Sequence, residues 1–219
     1  WVYHVNDEEY KKRLKGKLEQ KLQEKLKKER EENEKKMRYM LQRHDEKVEK
    51  IRMLMDLEYQ NALSVKWDKE LNQDPIWLRE CRYLGITKDT VPEFLNKELD
   101  GEFVFNCDRR IWQTKIFDTF IYRWTKRKQI IKSFSVEYLV EWVKKKSGLP
   151  LNEPLIYTRD VEDEFPNIKS LSDVLFEFLL NLSNYNFVKP SDRSLIKKGN
   201  PYYWWFDKLD ENISNDIVV

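Results

Sequence analysis

The chain has 219 residues, of which 37% are charged and 14% aromatic, with 41 Lys and Arg against 39 Asp and Glu for a formal net charge of +2. Aromatic side chains at this density exclude a disordered chain, because they supply the burial that disordered segments lack. No run of 18 apolar residues occurs, which excludes a transmembrane helix, and the five glycines form no phosphate-cradling loop.

Residues 7 to 71 contain no proline and one glycine, Gly16, and are crowded with Glu, Lys, Gln, Leu and Met. These are strong helix formers, and the window predicts a single helix over its whole length, on the order of 100 Å at ~1.5 Å per residue. Apolar spacing divides it into three parts. Tyr10, Leu14, Leu18, Leu22 and Leu26 recur every fourth residue. Each step overshoots a helical turn by ~40°, so the row winds around the helix and a partner must follow it obliquely. Residues 27–36 read KKEREENEKK and carry no apolar side chain. They predict a solvated spacer held by charge pairs four residues apart. Met37, Leu41, His44, Val48, Ile51, Met55, Glu58 and Ala62 then alternate steps of four and three, the spacing of a heptad seam.

Beyond the helix, about 145 residues are enough for one compact domain with its own core. Asp74 before Pro75 predicts a helix that stops at Gly85, and Thr90 with Pro92 predicts a restart through Phe94, Leu95 and Leu99. Phe103, Val104 and Phe105 read as a short buried extended piece without a partner strand, so no sheet is expected. Asp108 then reads as the cap of a longer helix over 109–132. Trp112, Ile116, Phe120 and Trp124 fall four apart on it and make it the expected centre of the domain.

Charge is concentrated here. Residues 109–146 hold 11 basic and 3 acidic groups, a net +8, whereas residues 1–50 hold 16 and 12. Arg109, Arg110, Lys115, Arg123, Lys126, Arg127, Lys128 and Lys132 line the side of this helix away from its apolar face. Lys144 and Lys145 close the next helix, capped by Ser135 and ended by Gly148. These ten are the candidate phosphate-contacting residues. The alternative is a solvated helix face with cations placed favourably near its C-terminal end.

Residues 149–167 carry three prolines and an acidic cluster of Asp160, Glu162, Asp163 and Glu164 and predict a surface loop; its spacing is not that of an EF-hand, so no metal site is expected. Ser170 with Asp173 predicts a capping box before an apolar helix from Leu171 to Leu182. Residues 184–219 read as an extended tail with five consecutive aromatics, Tyr202 to Phe206. Either some of these anchor a neighbour or the tail folds back on its own core. Cys81 and Cys107 have neither metal-ligand spacing nor partner histidines, and two buried thiols are expected.

The expected fold class is all-α or nearly so: a long N-terminal helix over 1–73, a small helical domain over 74–183 and the tail over 184–219. No nucleophile lies beside a candidate histidine, so neither catalysis, nor a cofactor, nor a small-molecule substrate is expected. The expected role is a structural subunit of a larger intracellular assembly. Protein neighbours would contact Leu14, Leu18, Leu22, Leu26, Met37, Leu41, Val48, Ile51 and Met55 on the helix and Tyr203, Trp204 and Trp205 in the tail. A ribonucleoprotein such as an organellar ribosome fits mixed charge, a helical extension and a chain that opens on Trp1, which is the basis for expecting a mitochondrial setting. The alternative is a coiled-coil scaffold in a protein-only assembly without RNA.

Overall fold

A computed structural model describes residues 7–123, 133–192 and 201–209, and these are mostly helical. The chain divides into two compact units, Trp1–Glu49 and Lys50–Val219.

Helix α1, Asp7–Leu54, is 48 residues long, about 70 Å at the standard rise. Between Glu8 and Arg43 every residue of described exposure except Gly16 is exposed. The expected continuation to Leu71 is broken at Met55 and Asp56. Asp56 adopts an extended conformation, φ −70° and ψ 123°, and its side chain accepts the Tyr59 N–H at 2.8 Å, capping a separate helix α2, Leu57–Glu70. The Gln60 side-chain amide donates to the Leu54 carbonyl at 2.7 Å and satisfies one of the carbonyls that α1 leaves open. This break changes the helical phase, so the heptad seam ends here: Ile51 and Leu54 are core residues, whereas Met55, Glu58 and Ala62 are exposed.

The second unit therefore begins earlier than the expected boundary at Asp74. Helix α3, Pro75–Leu84, starts as its sequence predicts, with Asp74 accepting the N–H groups of Ile76 and Trp77 at 2.8 and 2.9 Å. It stops at Gly85 in the left-handed region, φ 73°. The expected helix after Pro92 is only a 3-10 turn, Glu93–Leu95, and a second 3-10 turn, Glu102–Val104, stands where an extended piece was expected. Phe105 alone is extended and bridges Leu151.

Helix α4, Arg109–Phe117, is buried on all sides from Ile111 onward. It is the central element, with Trp112 stacked on Phe105 at 4.4 Å and edge-on to Phe178 at 5.1 Å. It passes at Asp118 into a π-helical turn, Asp118–Tyr122, so the expected uniform helix to 132 is not seen over its described part; residues 124–132 lie outside the described residues. A π turn shifts the helical phase of the residues after it, which brings Asp118 and Arg123 together.

Helix α5, Val136–Lys146, is capped by Ser135, and α6, Leu171–Asn184, by the expected box of Ser170 and Asp173. Three short strands correct the all-α expectation. Strands β1, Ser133–Ser135, β2, Val188–Pro190, and β3, Trp205–Lys208, form an antiparallel sheet in the order β1-β3-β2. Pro190 is tolerated because β2 is an edge strand. Phe206, paired with Phe134 on one side and Pro190 on the other, is fully buried. The segment expected to be an extended tail thus supplies the middle strand of the sheet.

Candidate partner-binding surface

The first unit is a helix whose apolar residues face solvent. Leu14, Leu18, Leu22 and Leu26 are 57, 71, 58 and 55% exposed, and Tyr10, Met37 and Leu41 are comparably open. An isolated exposed leucine is ordinary, but a continuous row of large apolar side chains marks an interaction surface. In the spacer after Leu26 a charge pair four residues apart joins Arg30 to Glu34 at 3.2 Å, rather than Glu31 to Lys35 or Glu32 to Lys36 as its sequence suggests. Leu26, Arg30, Asn33 and Met37 line one shallow stretch of surface, so the end of the first apolar part and the start of the second share a side of the helix across the spacer. Val48 is half-buried. Of the remaining helix candidates, Ile51 belongs to the core and Met55 to the break.

The candidate phosphate contacts in the second unit have carboxylate partners instead. Arg109 meets Glu98 at 3.1 Å and Glu102 at 2.7 Å. Arg110 reaches both oxygens of Asp108, at 2.8 and 2.7 Å, and Asp68 of α2 at 2.7 Å. Lys115 is buried and donates to the fully buried Glu80 of α3 at 2.9 Å. Arg123 bonds the other oxygen of Glu80 at 2.6 Å, pairs with Asp118 and lies over the Tyr83 ring at 4.1 Å. On α5, Lys144 and Lys145 share Glu141 at 3.1 and 2.5 Å, and Lys144 also bonds the Tyr157 hydroxyl. Lys126, Arg127, Lys128 and Lys132 lie outside the described residues.

The buried acids in this network do not titrate alike. Burial pushes Asp118 up to about 7, aided by the neighbouring Glu80 and against the pull of Arg123. Burial also acts on Glu80 but is outweighed by hydrogen bonds from Asp118, Lys115 and Arg79, which hold it at about 2. Of the two neighbouring acids, Asp118 is therefore the one burial raises, and Glu80, paired with Arg79, Lys115 and Arg123, is the one held down. Glu102 is raised to about 7 by burial, with Arg109 opposing.

A cleft of about 220 Å³ between Trp67, Asn96, Glu102 and Cys107 is smaller than the ~300 Å³ at which ligand pockets begin, and its Arg and Asp side chains are committed to one another. Burial raises both thiols, Cys81 to about 11, so neither is an activated nucleophile. Among the described residues no group of His, Cys, Asp and Glu is disposed to hold a metal ion, and no helix is long and apolar enough to cross a membrane.

The tail aromatics divide. Trp204 packs on Phe176 at 5.2 Å, and Trp205 lies half-buried in β3 beside a groove with Phe134 and Tyr138. Tyr203 is 40% exposed. One set of residues was not singled out from sequence: Arg13, Lys17, Lys21 and Lys25, each immediately before a leucine of the row. Residues 11–28 hold nine Lys or Arg against two Glu, a net +7. A count over residues 1–50 averages this excess away with the acidic turns on either side, and a window of one apolar segment would have found it. No protein-family model matches the chain, and no curated protein or solved structure shows significant similarity to it.

Proposed function

We propose that this chain is a non-enzymatic structural subunit of a larger assembly, which it joins by laying the exposed side of α1 against protein neighbours. The observation that carries the reading is the apolar row from Tyr10 to Leu26, open to solvent on a helix whose own unit, among the described residues, offers nothing to cover it. A long helix in this state gains stability from a partner's apolar surface more than from its own propensity.

Of the two settings weighed from sequence, the protein-only scaffold gains support. The ribonucleoprotein reading rested on the charge excess of residues 109–146. Of the cations there, Arg109, Arg110, Lys115 and Arg123 are engaged by internal carboxylates, and a cation already bonded to a buried carboxylate has little left for a phosphate; Lys126, Arg127, Lys128 and Lys132 lie outside the described residues. An organellar ribosome remains the form of the RNA reading to test, through the exposed Lys145 and Lys146.

The test is sedimentation of the tagged full chain from its native source, with and without nuclease, beside Leu18→Ser with Leu22→Ser. The wild type is expected in a large particle that survives nuclease, and the double variant as a lone chain with an unchanged melting temperature. Release by nuclease would favour RNA, and a wild-type chain that sediments alone would overturn the reading.

A further inference from the structure

The segment from Tyr10 to Lys28 carries two rows side by side. One is the apolar row; the other is Arg13, Lys17, Lys21 and Lys25, four residues apart and all exposed. Lys17, Lys21 and Lys25 form no ion pair among the described residues. Like charges four apart on a helix oppose the helix that carries them, so Lys17, Lys21 and Lys25 facing one another do not serve the stability of α1.

The occupant of this surface must satisfy both rows. RNA phosphates would neutralise the lysines and leave the leucines in water. A second copy of the chain would bring the same net +7 against +7. An anionic bilayer has both chemistries but is flat, whereas the apolar row turns about 160° between Tyr10 and Leu26, so only part of it can be seated at once. A protein segment that winds with the row and carries carboxylates beside its own apolar side chains meets every condition. Resting on the reading above, we infer that the partner on residues 10–28 is an acidic amphipathic helix of a different protein, crossing α1 obliquely with Glu or Asp opposite Lys17, Lys21 and Lys25.

The test places photo-reactive benzoylphenylalanine at Gln23, beside the row, in the full chain expressed in its native source. After irradiation, the attached species is sequenced. The expected product is a segment of another protein with an excess of Glu and Asp at helical spacing. Its yield should fall about tenfold in a Lys17→Glu, Lys21→Glu, Lys25→Glu variant, because charge reversal at an interface sets like charges together. These side chains are exposed, so the variant keeps the fold, which its melting curve checks. Attachment to lipid, to RNA, to the chain itself or to a segment without acidic excess would overturn the inference, as would a yield unmoved by charge reversal. Failure here with the chain still in a large particle removes the acidic partner alone, whereas a lone chain removes the structural-subunit reading as well.

Discussion

Residues 10–28 and 109–123 are built from the same ingredients, large apolar side chains four residues apart with Arg and Lys between them. In the first, Leu14, Leu18, Leu22 and Leu26 face water, and Lys17, Lys21 and Lys25 stand without ion pairs among the described residues. In the second, Trp112, Ile116 and Phe120 are wholly or almost wholly buried, and each described cation ends on a carboxylate. What separates them is neither periodicity nor local charge. It is the supply of acids from elsewhere in the chain: Glu80 lies 35 residues before Lys115, and Asp68 lies 42 before Arg110. A basic stretch whose counter-charges fold onto it is structural, and one in which lysines such as Lys17, Lys21 and Lys25 form no ion pair among the described residues is open to a partner.

The sharpest way to break this contrast is to remove a counter-charge. Glu80→Ala leaves Lys115 buried without its acceptor and frees one arm of Arg123. Stranding a buried charge costs about 3–5 kcal/mol, so the second unit should lose that much in denaturant unfolding followed by Trp fluorescence. Lys17→Ala and Lys21→Ala should stay within about 0.5 kcal/mol. If Glu80→Ala were equally mild, Lys115 and Arg123 would have free access to solvent, and residues 109–123 would return to the candidates for phosphate contact.

A smaller effect comes from the proton on Asp118. Its ordinary value is 3.8 and burial raises it to about 7 in the folded chain, so the folded state binds the proton more tightly than the unfolded one. The stabilisation from that proton is complete below about 4 and is lost as pH rises through about 7. Glu102 is raised to about 7 by burial and adds a slope of the same sign. Glu80, held at about 2, acts oppositely and loses its contribution only as pH falls toward that value, outside this window. Unfolding free energy should therefore decline between pH 5 and pH 7.5, over about two to three units. Asp118→Asn should remove part of the decline and leave the part due to Glu102. A slope unchanged in Asp118→Asn would mean that Asp118 is ionised beside Arg123 throughout.

How much of this was legible in the sequence depends on the range of each interaction. Helix starts at Asp74, Asp108, Ser135 and Ser170 were readable because a cap and its recipients lie within three residues. The break at Asp56 was equally local, but strong helix formers on both sides masked it. Strands of three, three and four residues carry too little alternation to be read, and the middle one pairs with neighbours more than 15 and 69 positions back. Nothing in Tyr202 to Phe206 distinguishes an anchor from a buried strand, because both ask for aromatic side chains. For the candidate surface the apolar row was plain in the sequence. The carboxylates that withdraw Arg109, Arg110, Lys115 and Arg123 from it were not, since no pattern along the chain places Glu80 beside Lys115.

The finest test of the contrast is Lys21→Glu. In the basic row Lys21 stands four residues from both Lys17 and Lys25 and three from Glu24, so the substitution turns two repelling pairs into attracting ones against one new repulsion with Glu24. Each is worth about 0.2–0.5 kcal/mol on an exposed helix. Helical circular dichroism and amide-exchange protection around residues 17–25 should rise slightly, and the gain should shrink in high salt, where exposed charges are screened. The same change should weaken attachment to an acidic partner. A substitution that steadies the helix while loosening its complex separates binding from folding, because a residue retained for stability would move both in one direction. Loss of helix stability in Lys21→Glu would instead mean that Lys21 makes a stabilising contact within the folded chain, and residues 10–28 would then resemble 109–123 in fate as well as in pattern.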